Sequence, residues 1–171
     1  MGGYVAFEFF RLYPDRVHSL ILANTRPGAD SDEGKAKRRA LQEIARTKGA
    51  VGVADAQIAG MVGKTTRETH PEIVQRMRAM MESASADGIV GALDAMMNRP
   101  DSTPMLPEIK VPVLIVTGEE DALISPKESR AMHDVIAYST LAVIPKVGHV
   151  SNVEDPVRFD SAMRNFLAAN R

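Results

Sequence analysis

Cysteine and tryptophan are absent from the 171 residues, and aromatic residues of all kinds make up only 5%. Without cysteine there are no disulfides, no thiolate nucleophile and no cysteine-held zinc or iron–sulfur centre, which fits a reducing compartment. A cytoplasmic location is therefore expected. Neither sign of charge dominates: 21 basic residues face 22 acidic ones, for a net charge of −1. A nucleic-acid surface would need a basic excess, so no nucleic-acid partner is expected. No apolar run approaches the roughly 18 residues of a membrane span. The stretch Met1–Phe10 contains Glu8 and no basic leader, so it does not read as a signal peptide. There is no His-Glu-x-x-His pattern and no convergent histidine–carboxylate set, so no metal is expected. What remains is 44% apolar and 25% charged, the make-up of a single globular domain.

Along the chain, Met1–Tyr13 reads as a helix with Val5, Phe9 and Leu12 on one face and Pro14 at its end. Its first turn contains Gly2-Gly3, which makes sense where a neighbouring backbone approaches closely. Val17–Ala23 is mostly apolar and reads as a buried strand, followed by turn residues from Arg26 to Gly34. From Lys35 to about Arg99 the period is helical, with glycines at 49, 52, 60, 63, 88 and 91 expected to divide it into three or four short helices. Pro100, Pro104 and Pro107 mark a linker. Val111–Thr117 and Ser139–Ile144 read as strands. Between them a helix opens with Ser125-Pro126, and a last helix follows Asp155-Pro156. Strands alternating with crossover helices imply an α/β fold with a parallel sheet. Three parallel strands are few, and the strand at 17–23 is left with an open edge.

Ligands of open parallel sheets gather at the carboxyl ends of the strands. Asp121 follows the strand at 111–117, and His149 follows the strand at 139–144. Either alone is an ordinary loop residue. Together, on neighbouring strand ends, they form the pair in which a carboxylate fixes an imidazole tautomer and stabilises its cation. Among the serines, Ser19 lies in a strand, Ser125 caps a helix and Ser151 follows His149 by two residues. None stands on a strand-to-helix elbow. Lys35, Lys37, Arg38 and Arg39 are either a solvated helix face or a clamp for an anionic substrate. His70 and His133 read as surface residues. The methionines at 77, 80, 81, 96 and 97 are either core or the lining of an adaptable apolar pocket.

Three segments together carry a resemblance. Gly118-Glu-Glu-Asp121-Ala-Leu-Ile-Ser-Pro126 and Gly148-His149-Val-Ser-Asn-Val-Glu154-Asp-Pro156 resemble the acid and histidine loops of the α/β-hydrolase fold family. Met1-Gly2-Gly3-Tyr4 resembles the residues that follow the nucleophile in that family's Gly-x-Ser-Met-Gly-Gly elbow, and Tyr13-Pro14-Asp15-Arg16-Val17 with Leu20–Asn24 resembles the approach to its sixth strand. The resemblance implies the C-terminal part of an α/β-hydrolase: strands 6–8 with flanking helices and a helical cap. Residues 1–28 would form the helix after the elbow and strand 6, 29–98 the cap, and 99–171 strands 7 and 8 with both loops and the final helix.

It further implies a serine hydrolase of the esterase or lactonase kind, similar to the 3-oxoadipate enol-lactonase type. Its substrate would be a small carboxylic ester or lactone, with no cofactor. Asp121 and His149 would be catalytic, and the backbone N–H of Met1 would belong to the oxyanion hole. The nucleophile would directly precede Met1, so these 171 residues would lack it together with strands 1–5. Cofactor-free haloperoxidases or perhydrolases and dehalogenases of the same fold are alternatives. So is a non-catalytic binding module or half of a split enzyme. The open sheet edge predicts self-association, or pairing with an N-terminal half.

Overall fold

Val113–Gly118 is buried at all six positions, because each face of this strand carries its own layer of helices. The computed structural model describes residues 1–170 and places this strand (β2) at the centre of a parallel sheet. Leu20–Ala23 (β1) lies on one side, with Leu20 opposite Val113, and Ser139–Ile144 (β3) on the other, with Ser139 opposite Val113. Val113 and Ile115 point into one core with Phe7, Phe10, Leu22, Met132 and Ile136. Leu114 and Val116 point into a second core with Ile144, Val147 and Phe166. This two-sided burial explains the nearly unbroken apolar run in β2.

The helices follow the chain as α1 (Gly2–Leu12), α2 (Asp32–Met61), α3 (Lys64–Thr69), α4 (Pro71–Glu82), α5 (Ala86–Met97), α6 (Pro126–Val135), α7 (Ser151–Glu154) and α8 (Pro156–Ala169). The first and sixth cover one sheet face through Phe7, Phe10, Met132 and Ile136, and α8 covers the other through Phe166. Helices α2–α5 form a single insertion between β1 and β2. No helix among the described residues is long and apolar enough to cross a membrane.

Four local readings change. β1 starts at Leu20 rather than Val17, because Pro14–Arg16 forms a 3-10 turn and the Leu20 N–H is the group that donates to Pro112 (2.9 Å). The insertion is four helices as expected, but not every glycine divides it: α2 is broken at Gly49 (φ 63°) and α3 starts after Gly63, whereas Gly52, Gly60, Gly88 and Gly91 lie inside helices. Gly3 does sit at a close approach, but to a side chain: a Cβ there would lie 2.3 Å from Thr25 Oγ1, whereas Gly2 has open space. The Val5, Phe9 and Leu12 stripe faces outward (62%, 47% and 58% exposed), and the buried face of α1 is Phe7 and Phe10.

Candidate active site

The carboxyl ends of all three strands meet at one point. After β2, Glu119 and Glu120 donate backbone N–H groups to Ile144 and Val147 (2.9 and 2.8 Å), which ties the acid loop to the chain leaving β3. Contact is close enough that a Cβ on Gly118 would lie 2.1 Å from the Gly148 carbonyl oxygen. This brings Asp121 to His149. The Asp121 carboxylate is 5% exposed and accepts from four donors. Oδ1 takes the N–H groups of Leu123 and Ile124 (both 2.9 Å), and Oδ2 takes Asn24 Nδ2 (3.0 Å) and His149 Nδ1 (2.9 Å).

Burial pushes the Asp121 carboxyl up, but His149, the Ile124 N–H and Asn24 outweigh it and hold the group below its ordinary value. An ionised carboxylate only accepts, so Nδ1 of His149 is the donor in this contact and Nε2 is the nitrogen left for other partners. His149 lines a cleft of about 360 Å³, whose walls include Met1, Tyr4, Leu41, Gln57, Met81, Ile89 and Met96.

Two further residues hold this arrangement. Asn24, at the end of β1 and at φ 47°, donates to Asp121 and to the Gly148 carbonyl (3.2 Å), and accepts from Ser151 Oγ (2.6 Å). Glu154 is buried and accepts the N–H groups of Gly63 and Gly148 (2.9 Å each), while the His149 N–H donates to Met61 (2.9 Å). The end of α2 is thus fastened directly to the histidine loop. Asn24 and Glu154 carry signals that single-residue reasoning passes over: one is a polar residue at the third strand end, the other a carboxylate just past the histidine.

The remaining polar residues divide clearly. Ser151 is fully buried with its hydroxyl committed to Asn24, and Ser125 caps α6 by accepting from Lys127 N–H. His70 is exposed beside Glu72, and His133 bonds Ser139 (2.8 Å). Met77 and Met97 are core, Met80 is 55% exposed, and Met81 and Met96 line the cleft. In the basic cluster, Lys37 pairs with Glu33 in solvent, whereas Arg38 turns inward to Asp30.

Asp30 is met by three guanidinium groups: Arg26 (2.8 Å), Arg99 (2.9 Å) and Arg38. Burial pushes its carboxyl up, but hydrogen bonds from Arg38 and Arg99 prevail and bring it to about 2. Arg99 also lies 4.0 Å from the centre of the Tyr4 ring.

A parallel sheet, a long helical insertion after β1, and a carboxylate–imidazole pair at adjacent strand ends define an α/β-hydrolase fold. The comparisons agree. A thermophilic esterase from Thermogutta terrifontis superposes with a TM-score of 0.94 at 40% identity, over 98% of this chain and 62% of its own. The enol-lactonase from Burkholderia xenovorans LB400 gives 0.87 at 26% identity, over 98% and 63%. Among curated sequences, 3-oxoadipate enol-lactonase 2 of Acinetobacter baylyi is 29% identical over 95% of this chain and 59% of its own length. The chain therefore spans about three fifths of each relative. It belongs to the Ndr family, whose profile matches residues 1–169.

Proposed function

We propose that these residues form the C-terminal portion of a serine hydrolase acting on a small carboxylic ester or lactone. The observation that carries this reading is the His149 Nδ1–Asp121 Oδ2 contact of 2.9 Å, with the imidazole lining the cleft. The nucleophile is a serine directly before Met1. Its Oγ attacks the carbonyl carbon as its proton passes to His149 Nε2. The leaving alcohol then takes that proton, and a water repeats the cycle to release the acid. Asp121 orients the ring and stabilises its cation, and the Met1 N–H stabilises the oxyanion. Residues 29–98 act as the cap, and their inner faces shape the acyl pocket. The similarities to an esterase and to enol-lactonases support this substrate class.

The missing partner of the open β1 edge is an N-terminal half carrying strands 1–5, which would also cover the exposed apolar face of α1. Two variants of the intact protein test the reading on a panel of short-chain esters and lactones. His149→Ala is expected to lower kcat by about 10⁴-fold or more, and Asp121→Asn by about 10⁴-fold. Turnover within a few-fold of the unmodified protein in either variant would refute the assignment.

A further inference from the structure

Each of the two loops that meet at the strand ends sends one carboxylate to the same short stretch of the helical insertion. From the histidine loop, Glu154 accepts the Gly63 N–H (2.9 Å). From the acid loop, Glu120 accepts the Thr65 N–H at Oε2 (2.7 Å) and the Thr65 hydroxyl at Oε1 (2.5 Å). Burial pushes the Glu120 carboxyl up, but the two Thr65 donors, Lys64 and Arg67 outweigh it and hold the group below its ordinary value. A Cβ on Gly63 would lie 2.7 Å from the Gly148 nitrogen and 3.0 Å from Glu120 Oε2, so this stretch is wedged between the two loops. It directly follows Met61, which lines the cleft and whose carbonyl accepts the His149 N–H (2.9 Å). Gln57, Met81, Ile89 and Leu93 of the insertion share that wall.

We propose that Glu120 is a positioning residue: by gripping Thr65 it locks the insertion to the acid loop, so that the cleft wall and the Asp121–His149 contact move as one unit. Its carboxylate reaches Thr65 rather than the imidazole, and it acts through the backbone. Its own N–H donates to Val147 (2.8 Å), and the next residue is Asp121. A substrate whose acyl chain reaches the insertion then steadies the pair, and that binding energy appears in kcat rather than in KM. The substrate step rests on the hydrolase reading above; the coupling of Glu120 to the pair does not.

The test uses the intact protein with Glu120→Gln and Glu120→Ala. An amide keeps both contacts, its oxygen accepting the Thr65 N–H and its NH2 donating to the Thr65 hydroxyl, whereas alanine keeps neither. The first readout is the proton between His149 Nδ1 and Asp121 Oδ2, seen far downfield by NMR and identified by its loss in His149→Ala. It needs neither nucleophile nor substrate. The resonance should shift or broaden in Glu120→Ala and hold in Glu120→Gln. Thr65→Val, which removes the hydroxyl from the other side, should move it in the same sense, and serves if Glu120→Ala fails to fold. The second readout is hydrolysis of methyl acetate, butyrate and hexanoate. In the unmodified protein and in Glu120→Gln, kcat should rise with chain length. Glu120→Ala should flatten that rise and lower kcat for the hexanoate by about tenfold or more, with KM changed less than about threefold. An unmoved resonance in Glu120→Ala would overturn the inference and leave the hydrolase reading intact. So would equal effects of glutamine and alanine, which mark charge rather than grip, or a kcat indifferent to chain length in the unmodified protein. A resonance moved as expected, with no ester hydrolysed by the unmodified protein, would do the reverse.

Discussion

The Asp121 carboxylate is held by two backbone N–H groups, an amide and an imidazole, so neither its charge nor its direction depends on solvent. That over-determination separates two kinds of substitution. His149 is 22% exposed in its side chain and makes a single side-chain bond, so His149→Ala should remove activity with little change in Tm. Asp30 behaves differently, because neutralising it leaves the buried Arg99 and the half-buried Arg26 and Arg38 facing one another. Asp30→Asn is expected to cost about 3 to 5 kcal/mol in stability, measured by denaturant unfolding.

The same carboxylates set the acid limit of the fold. Asp30 and Asp121 both have folded-state values below the unfolded ones, with Asp30 at about 2. Their contribution is complete above the unfolded value of about 4 and is lost as pH falls towards 2, so Tm should drop across that window. Asp30→Asn should flatten the drop. At this scale Asp121 and His149 were legible because both follow apolar runs that read clearly as strands. Arg26 and Asp30 were hidden in a stretch of ordinary turn residues. Nothing in their spacing shows that α2 will bring Arg38 to Asp30.

The helical insertion is joined to the site where α2 meets the histidine loop. A Cβ on Gly148 would lie 2.4 Å from the Gly63 nitrogen, and Glu154 accepts the N–H groups of both glycines. Glu154→Ala strands those two buried donors, at about 1–3 kcal/mol each, and frees the loop that carries His149. Proteolysis or hydrogen exchange at Met61–Gly63 should rise in this variant, with kcat falling more than KM changes. Gly49 carries a different backbone demand within α2, and Gly49→Ala should destabilise by about 1–3 kcal/mol because φ 63° with ψ −164° suits glycine alone.

Element identity was largely readable here, since every expected strand and helix exists. Orientation was not. The periodic Val5, Phe9 and Leu12 stripe suggested the core face of α1, yet Phe7 and Phe10 are buried instead. Periodicity shows that a helix has an apolar face. It cannot say which face turns inward when apolar residues surround the helix.

At the scale of the molecule, α1 and α6 cover one face of the sheet and α8 the other, with β3 at one edge and β1 at the opposite edge, neither with a further strand beside it among the described residues. Next to the β1 edge lie Val5, Phe9, Leu12 and Tyr13, each between 47% and 62% exposed. Apolar surface beside unpaired backbone groups promotes association. The isolated 171 residues are therefore expected to self-associate in sedimentation experiments, and Val5→Lys with Phe9→Lys should reduce this. A monodisperse monomer that melts cooperatively would count against the open edge as a docking surface. The parallel sheet and the helical insertion between β1 and β2 were readable from the alternation of strands and helices. The cleft was not, because its walls come from α1, α2, α4, α5 and the acid loop at once.

The central claim is that Asp121 and His149 serve a serine placed directly before Met1. Labelling the intact protein with a fluorophosphonate, and mapping the modified residue by mass spectrometry, tests it most directly. The account predicts one modified serine, immediately N-terminal to Met1, and labelling slowed by orders of magnitude in His149→Ala. Labelling at Ser151 or elsewhere in the chain, or labelling indifferent to His149, would contradict it.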